Sequence, residues 1–363
     1  MGASTRLDVA EFEPEELEAA FVAEGLERFR ARQVYRWVHA RGVTDFARMT
    51  DLPLDLRARL SDAAVVGTPA VLAQDVSSDG TVKFLLGLAD GRRIEAVHIP
   101  DTPAQTFCVS TQVGCAMRCA FCLTGKMGMV RNLTAGEIAG QVRVLARETG
   151  LLGSPVNVVL MGMGEPLHNY DATMKALRIL GSRAGLAIPP RRVTLSTVGV
   201  LPALERLAAE PYMPNLAVSL HATTEDLRDR LVPVNRKYGL VDLVAACRRF
   251  PVKRRARITF EYVLLAGVND SVADARRLVR LLAGVRAKVN LLPLNEAAGI
   301  PFARPSDDRV DAFARVLAER GLTVSVRKSR GRDIRAACGQ LLVEGARPSA
   351  GQQLAARLAG PRP

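Results

Sequence analysis

Apolar positions near the start of the chain recur at helical spacing. Leu17, Phe21, Leu26 and Phe29 form one stripe. Val34, Trp37 and Val38 continue it along a segment rich in Arg30, Arg32, Arg36 and Arg41. The pattern predicts a small module of short helices over residues 14–65, with a basic face suited either to RNA or to plain solvation. Over residues 81–99 it changes to a hairpin: an apolar run at 82–86, a turn at Ala89-Asp90-Gly91, and a second run at 93–99. From residue 106 short apolar runs alternate with helical stretches. Strands are expected at 107–110, 156–161, 192–196, 215–220, 258–264 and 288–292, and a last one at 323–327. One helix opens at Thr134 with Glu137 in a capping-box arrangement and buries Ile138, Val142 and Leu145.

Repeated strand–helix units imply a parallel sheet covered by helices, and six of them suit a partial barrel. The expected fold class is therefore α/β: a partial (β/α)6 barrel over residues 106–345. A helical accessory domain over 1–75 precedes it, a short β hairpin over 76–105 links the two, and an Ala/Arg/Pro/Gly tail follows at 346–363.

Ligands belong at the carboxyl ends of parallel strands, and the chemistry-bearing motifs fall there. The first strand is followed by Gly114-Cys-Ala-Met-Arg-Cys-Ala-Phe-Cys122, which supplies three thiols within eight residues and no fourth at similar range. Gly162-Met163-Gly164-Glu165-Pro166 follows the second strand, Ser196-Thr197-Val198-Gly199 the third, and Ser219-Leu220-His221 the fourth. Leu292-Pro293-Leu294-Asn295 follows the sixth. A structural zinc site takes four protein ligands, so three cysteines fit either a zinc knuckle completed by Cys108 or a distant histidine, or an iron–sulfur cluster.

Composition narrows the classes. The chain has 363 residues, 48% of them hydrophobic, enough for a large core. Fifty Lys and Arg stand against 37 Asp and Glu, a formal charge of +13 that attracts polyanions unless it is only a solvated surface. Residues 1–18 are acidic without an apolar core, and no run approaches the roughly 18 apolar residues of a membrane span. Six cysteines without a secretory leader point to a reducing compartment, so a cytoplasmic, membrane-free protein is expected.

Between about residues 30 and 341 the chain resembles the radical S-adenosylmethionine (SAM) methyltransferases that act on a 23S ribosomal RNA adenosine, the RlmN/Cfr family. Beyond the motifs above, the resemblance is carried by Cys108-Val-Ser-Thr-Gln-Val-Gly-Cys115, Arg131-Asn132-Leu133, Val232-Pro-Val-Asn235 and Phe260-Glu261-Tyr262. It closes on Arg327-Lys-Ser-Arg-Gly-Arg-Asp-Ile-Arg-Ala-Ala-Cys338-Gly-Gln-Leu341. The resemblance implies a radical SAM barrel with a [4Fe-4S] cluster on Cys115, Cys119 and Cys122, and two SAM molecules per turnover. Gly164 and Glu165 would hold the SAM amino end, and Ser196, Ser219, Leu220 and His221 the sugar and adenine. Asn295 would hold the methionine carboxylate. For His221 a satisfied buried imidazole is the alternative, and Met161 and Met163 read as packing.

It further implies that Cys338 accepts a methyl group, that Cys108 resolves the covalent RNA adduct through a disulfide, and that Glu95 handles a proton. Arg330, Arg332 and Arg335 would favour the Cys338 thiolate. Cys247 matches no family position and reads as core. Arg327, Lys328, Arg330, Arg332 and Arg335 would contact RNA near Cys338. Arg248, Arg249, Lys253, Arg254, Arg255 and Arg257 form a second basic cluster. The implied product is methylation at carbon 2 of an adenosine in the peptidyl-transferase region of 23S rRNA, and of the adenosine 3′ to the tRNA anticodon. A flavodoxin or ferredoxin would donate electrons to a monomeric enzyme. Carbon 8 stays open, because Leu123-Thr-Gly-Lys-Met127 and Val198 depart from the commonest carbon-2 pattern. A metal-bearing RNA-binding protein, or a radical SAM enzyme with a small substrate, are readings of other classes.

Overall fold

The computed structural model describes residues 6–100, 105–253 and 256–343, so the expected tail at 346–363 and Arg254 and Arg255 lie outside the described residues. The N-terminal module opens with β1 (Leu7–Asp8), continues through helices α1 (Pro14–Ala23), α2 (Arg28–His39) and α3 (Leu54–Ala63), and ends on β2 (Ala64–Val65), which pairs with β1 in parallel. Leu17, Phe21, Val34, Tyr35 and Val38 form its core with Leu56 and Leu60. Phe29, expected in the apolar stripe, is instead on the solvent side with the Arg30 guanidinium 4.4 Å over its ring. The reason is phase: α2 begins at Arg28 and buries Ala31, Val34, Tyr35 and Val38, a face that excludes Phe29.

Next come β3 (Ala70–Val76), β4 (Val82–Gly87) and β5 (Arg93–Ile99), an antiparallel ribbon. The hairpin read from sequence is β4–β5. It is not a free linker, because β5 pairs with the first barrel strand, β6 (Thr106–Cys108), and the ribbon extends the main sheet. A small antiparallel pair, β7 (Gln112–Gly114) and β8 (Met129–Asn132), brackets the short helix α4 (Leu123–Met127).

The alternating units follow: α5 (Ala135–Glu148), β9 (Asn157–Leu160), α6 (Tyr170–Gly181), β10 (Val193–Thr197), α7 (Leu201–Ala208), β11 (Asn215–Ser219), α8 (Glu225–Leu231) and α9 (Leu240–Arg249). They close with β12 (Ile258–Leu264), α10 (Val272–Leu281), β13 (Ala287–Pro293), α11 (Asp307–Glu319) and β14 (Thr323–Val326). The sheet order is β14-β13-β12-β11-β10-β9-β6-β5-β4-β3, parallel from β14 to β6 and antiparallel beyond. Six strands make the expected partial barrel, and β14 adds a seventh parallel strand at one edge.

Alternation decides which face each side chain serves. In β10, Val193, Leu195 and Thr197 are buried while Thr194 and Ser196 are half-buried; in β13 the half-buried positions are Asn290 and Leu292. The capping box at Thr134 is present: its hydroxyl accepts from Glu137 N, and the Glu137 carboxylate accepts from Thr134 N at 2.9 Å. Ile138, Val142 and Leu145 are fully buried below it. The N-terminal module is tied to the barrel by Tyr35 OH on the Ile179 carbonyl, Arg143 on the Gly67 carbonyl, and the Arg178–Glu13 ion pair.

Candidate active site

A cleft of about 970 Å³, open mouth included, lies at the carboxyl ends of the parallel strands, a size suited to a cofactor. One wall carries Cys115, Cys119 and Cys122. Gly114 starts that segment at φ +78°, and Cys115 N donates to the Gly128 carbonyl at 3.0 Å, which seats the first thiol on the β7–β8 ribbon. Burial and mutual repulsion push all three thiols up, Cys115 to about 12. Thiols that resist ionisation in one pocket are suited to a positively charged metal group, which pulls them to thiolates. Among the described residues no three Cys, His, Asp or Glu side chains converge as a single-ion site does. Three thiols in one cleft supply the donor type that holds an iron–sulfur group.

Opposite the cysteines is Glu165, 3% exposed. Its Oε1 accepts from Leu167 N at 3.0 Å and Oε2 from Val198 N at 2.9 Å, while burial pushes its carboxyl up to about 7. Gly164, at φ +104°, leaves no room for a Cβ, which would lie 2.7 Å from Gln112. Gln112 organises this turn: its carbonyl accepts from Glu165 N at 2.9 Å and its amide nitrogen donates to Asn132 at 2.8 Å. The folded-state rise at Glu165 gives a signed prediction. Its stabilising contribution is complete below the unfolded pKa near 4.5 and is lost as pH rises through about 7. Glu165 by itself therefore makes the cluster-free protein less stable at pH 8 than at pH 5, by a slope of at most about 1.4 kcal/mol per pH unit, while the neutral buried His221 contributes with the opposite sign. Calorimetry across that range should show Glu165→Gln gaining stability relative to the native chain as pH rises, and a difference between the two that does not change with pH would remove Glu165 as a titrating group.

The remaining wall carries Ser196, Ser219, His221 and Asn295. His221 has φ +61°, uncommon for a histidine, and is held there by Asn269 Nδ2 on its carbonyl at 2.8 Å. Its Nδ1 accepts from Val263 N at 3.0 Å, and burial beside Arg228 pushes its pKa down to about 3. The ring is neutral with its proton on Nε2, so a satisfied buried imidazole also presents a donor to the cleft. The Asn295 amide oxygen is buried without a protein partner, an acceptor suited to an N–H or O–H of a bound ligand, and its amide nitrogen is the group that could meet a carboxylate. Leu220 differs from its neighbours: its side chain is fully buried in the barrel core, and it does not line the cleft.

A second cavity adjoins the first, lined by Cys108, Cys338, Arg327, Arg330 and Leu341. The two share Met161, Leu292, Asn295, Arg327 and Cys338, so Cys338 stands at their junction, whereas Cys108 faces the second alone. Burial pushes the Cys108 thiol up to about 12, with Cys338 adding to the effect. Arg327 was read from sequence as an RNA contact, yet its side chain turns into both cavities, and Cys338 is the main cause of its raised pKa. The expected disulfide is absent: Cys108 and Cys338 are both free thiols. Cys247 is buried in α9, as a core residue should be.

Glu95 is 4% exposed on β5 and its pKa is raised, chiefly by burial. It lines neither cavity. Lys83 Nζ lies 3.3 Å from one oxygen, and Leu342 N donates to the other at 2.8 Å, so the carboxylate anchors the segment carrying Cys338. Lys328, Arg332 and Arg335 are exposed around that segment. In the second basic cluster Arg248, Arg249, Lys253 and Arg257 are exposed, and Arg248 donates to the Leu281 and Ala283 carbonyls. Sequence reasoning missed Gln112, Arg228 and Asn269, polar residues that act on backbone far away in the chain. Only the buried-polar character of short motifs such as Val232-Pro-Val-Asn235 hinted at them.

Residues 109–279 match the model of the Radical SAM superfamily, and residues 7–66 that of the Ribosomal RNA large subunit methyltransferase N-terminal domain. The chain is 49% identical over 354 residues to the Dual-specificity RNA methyltransferase RlmN of Geobacter sulfurreducens, covering 96% of this chain and 97% of that one. It is 50% identical over 343 residues to the protein of the same name from Syntrophotalea carbinolica, covering 94% and 91%. The crystal structure of a radical SAM methyltransferase from Sphaerobacter thermophilus aligns with a TM-score of 0.89 at 46% identity, covering 94% of this chain and all of that one.

Proposed function

The chain belongs to the RlmN family of radical SAM RNA methyltransferases, and from that premise we propose that it methylates carbon 2 of an adenosine in 23S ribosomal RNA and in transfer RNA. Carbon 2 of adenine is electron-poor and its hydrogen is not acidic, so direct attack by the ring on a methyl donor fails. When bound, the [4Fe-4S] cluster and two SAM molecules supply a methyl group and a hydrogen-abstracting radical. The chain's own residues do the rest. Cys115, Cys119 and Cys122 would hold the cluster; Gly164 and Glu165 would receive the SAM ammonium; Ser196, Ser219 and His221 would hold its adenosine, with Leu220 supporting them from the core; and the Asn295 amide nitrogen would hold its carboxylate.

Cys338 accepts the methyl group on its sulfur, with the Arg327 guanidinium lining the same two cavities. After loss of a hydrogen atom its methyl carbon would join the RNA base, and the adduct would then give up one electron, which a redox cluster can take back, and the ring proton; Glu95, which lines neither cavity, holds the Cys338 segment through Leu342 N. The Cys108 thiolate then attacks the Cys338 sulfur. The sulfur–carbon bond breaks with its electron pair going to the base, whose methylene carbon takes a proton to become the methyl group of the released RNA, and the resulting disulfide is returned to two thiols by a two-electron reductant. The observation that carries this reading is that Cys338 lines both cavities while Cys108 lines only the second. A methyl acceptor must be reached from the SAM side, and its resolving thiol from the product side.

The exposed Lys328, Arg332 and Arg335 suit RNA phosphates around the entry of a flipped adenine. Electron supply by a flavodoxin or ferredoxin, action as a monomer and residence in the cytoplasm complete the proposal. Among the described residues no helix is long and apolar enough to cross a membrane.

The test uses anaerobically reconstituted enzyme with SAM, a reductant, and unmodified ribosomal or transfer RNA, followed by nuclease digestion and mass spectrometry. A 2-methyladenosine peak is expected. An 8-methyladenosine peak would reassign the carbon, and SAM cleavage without methylated adenosine would remove RNA as substrate. In the same assay Cys108→Ala should accumulate a nuclease-sensitive protein–RNA adduct, seen as a gel shift. Free product at the native rate would show that Cys108 does not resolve it.

A further inference from the structure

Arg228 heads the fully buried side chains of the molecule by size, at 0% exposure. A buried guanidinium ordinarily has a carboxylate beside it, yet among the described residues Arg228 makes no ion pair. Its partners are neutral. Nε donates to the Leu220 carbonyl at 3.1 Å, Nη1 to Asn235 Oδ1 at 2.7 Å, and Nη2 to the carbonyls of Val198 at 2.7 Å and Ser219 at 3.1 Å. Those three carbonyls end β10 and β11, the strands that present Ser196, Ser219 and His221 to the cleft.

Asn235 cannot turn its amide round. Its Nδ2 donates to Glu225 Oε2 and Asp229 Oδ1, both at 2.7 Å, which leaves only Oδ1 for Arg228. This accounts for a motif, Val232-Pro-Val-Asn235, that the methyl-transfer chemistry does not otherwise use. On its other side the cysteine segment rests on the same helix: Ala120 N donates to the Leu231 carbonyl at 2.9 Å, and Cys119 packs against the apolar group that includes Leu227 and Leu231, on either side of Arg228 in sequence. The guanidinium is thus a cation whose direct partners are all neutral, with Glu225 and Asp229 reached through Asn235, on the helix that supports one of the thiols proposed to carry an anionic iron–sulfur group.

We propose that Arg228, oriented by Asn235, is a positioning residue with two effects: its fixed charge offsets the cluster's negative charge and raises its reduction potential, and its hydrogen bonds hold the ends of β10 and β11 that shape the SAM cleft. The proposal rests on the reading of Cys115, Cys119 and Cys122 as cluster ligands. Reduction adds an electron to a group already negative through its thiolates, and a buried cation stabilises that state more than the oxidised one.

The test is a redox titration of the reconstituted cluster, followed by electron paramagnetic resonance, with SAM affinity measured separately by equilibrium dialysis. RNA methylation plays no part in it, so a wrong substrate assignment does not affect the outcome; a protein that binds no cluster at all would instead sink the ligand reading. Arg228→Gln should move the midpoint potential to a more negative value. Arg228→Lys keeps the charge but reaches fewer carbonyls, so it should hold the midpoint near the native one while weakening SAM binding about tenfold. Glu225→Gln, at an exposed position outside the cleft, removes a nearby negative charge and should give a smaller shift of opposite sign. It decides the question even if Arg228 variants do not fold. Equal midpoints in native, Arg228→Gln and Glu225→Gln proteins would overturn the proposal, as would a shift in Arg228→Lys as large as that in Arg228→Gln.

Discussion

Cys338→Ala is expected to bind iron and SAM as the native chain does and to form no methylated adenosine. Loss of a nucleophile through which every turnover passes lowers product formation by on the order of 10⁴-fold or more. Folding should hardly change. Cys338 is only half-buried at the junction of two cavities, so removing its sulfur creates little new void and costs about 1 kcal/mol or less. A purely structural cysteine would show the reverse: lower melting temperature and retained turnover. Cys338→Ser separates the two further, because it restores size and polarity without a thiolate and should be equally inactive. Methylated product from either variant at more than trace level would remove Cys338 from the reaction.

Gly114→Ala should be the most damaging small substitution near the cleft. Its φ of +78° already disfavours a side chain, and a Cβ there would lie 1.9 Å from the Gly128 carbonyl oxygen, which is backbone and cannot rotate away. That oxygen also accepts from Cys115 N. To relieve the clash β7 and β8 must part, which costs about 3 kcal/mol or more and displaces the first of the three thiols. Reduced iron content after reconstitution, together with a lower melting temperature, is the expected result. Gly150→Ala, just past the end of α5, is the matched control. Its φ is also positive, at +69°, but nothing lies within 4 Å of the new Cβ, so the cost should stay near 1 kcal/mol with iron retained. Equal iron content in the two variants would mean that this contact does not seat Cys115.

The readable parts of the molecule were those set by local rules. Period-two and apolar runs located the barrel strands to within about two residues, and the Thr134–Glu137 pair announced a real helix start, because both patterns depend only on near neighbours. The cysteine spacing announced its shared wall for the same reason. Arg327 shows where this stops. In sequence it belongs to a run of basic residues and reads as surface, but its position just after β14 aims it into the cavities, a direction set by pairing with β13. Phe29 fails the opposite way, its apolar character outvoted by where α2 begins. Arg228 and Gln112 are invisible in sequence because their partners are backbone groups brought near by strand pairing in the sheet.

The way the Cys338 segment is held bears on when the enzyme becomes competent. Ser77 and Ser78 in the β3–β4 turn bind Asp333, Asp79 binds Gly331 N, and Glu95 binds Leu342 N, contacts that span about 250 positions of the chain. Such closures form late in folding, since the intervening chain must be ordered first. The three thiols and Glu165, by contrast, sit within one early stretch of the barrel. Yet the helix that follows Cys122 is tied to the same late piece, by Leu123 N on the Gly339 carbonyl and the Thr124 hydroxyl on the Leu341 carbonyl, so a chain emerging during synthesis finishes the wall beside its three thiols and its Cys338 cavity together, when residues 327–343 dock.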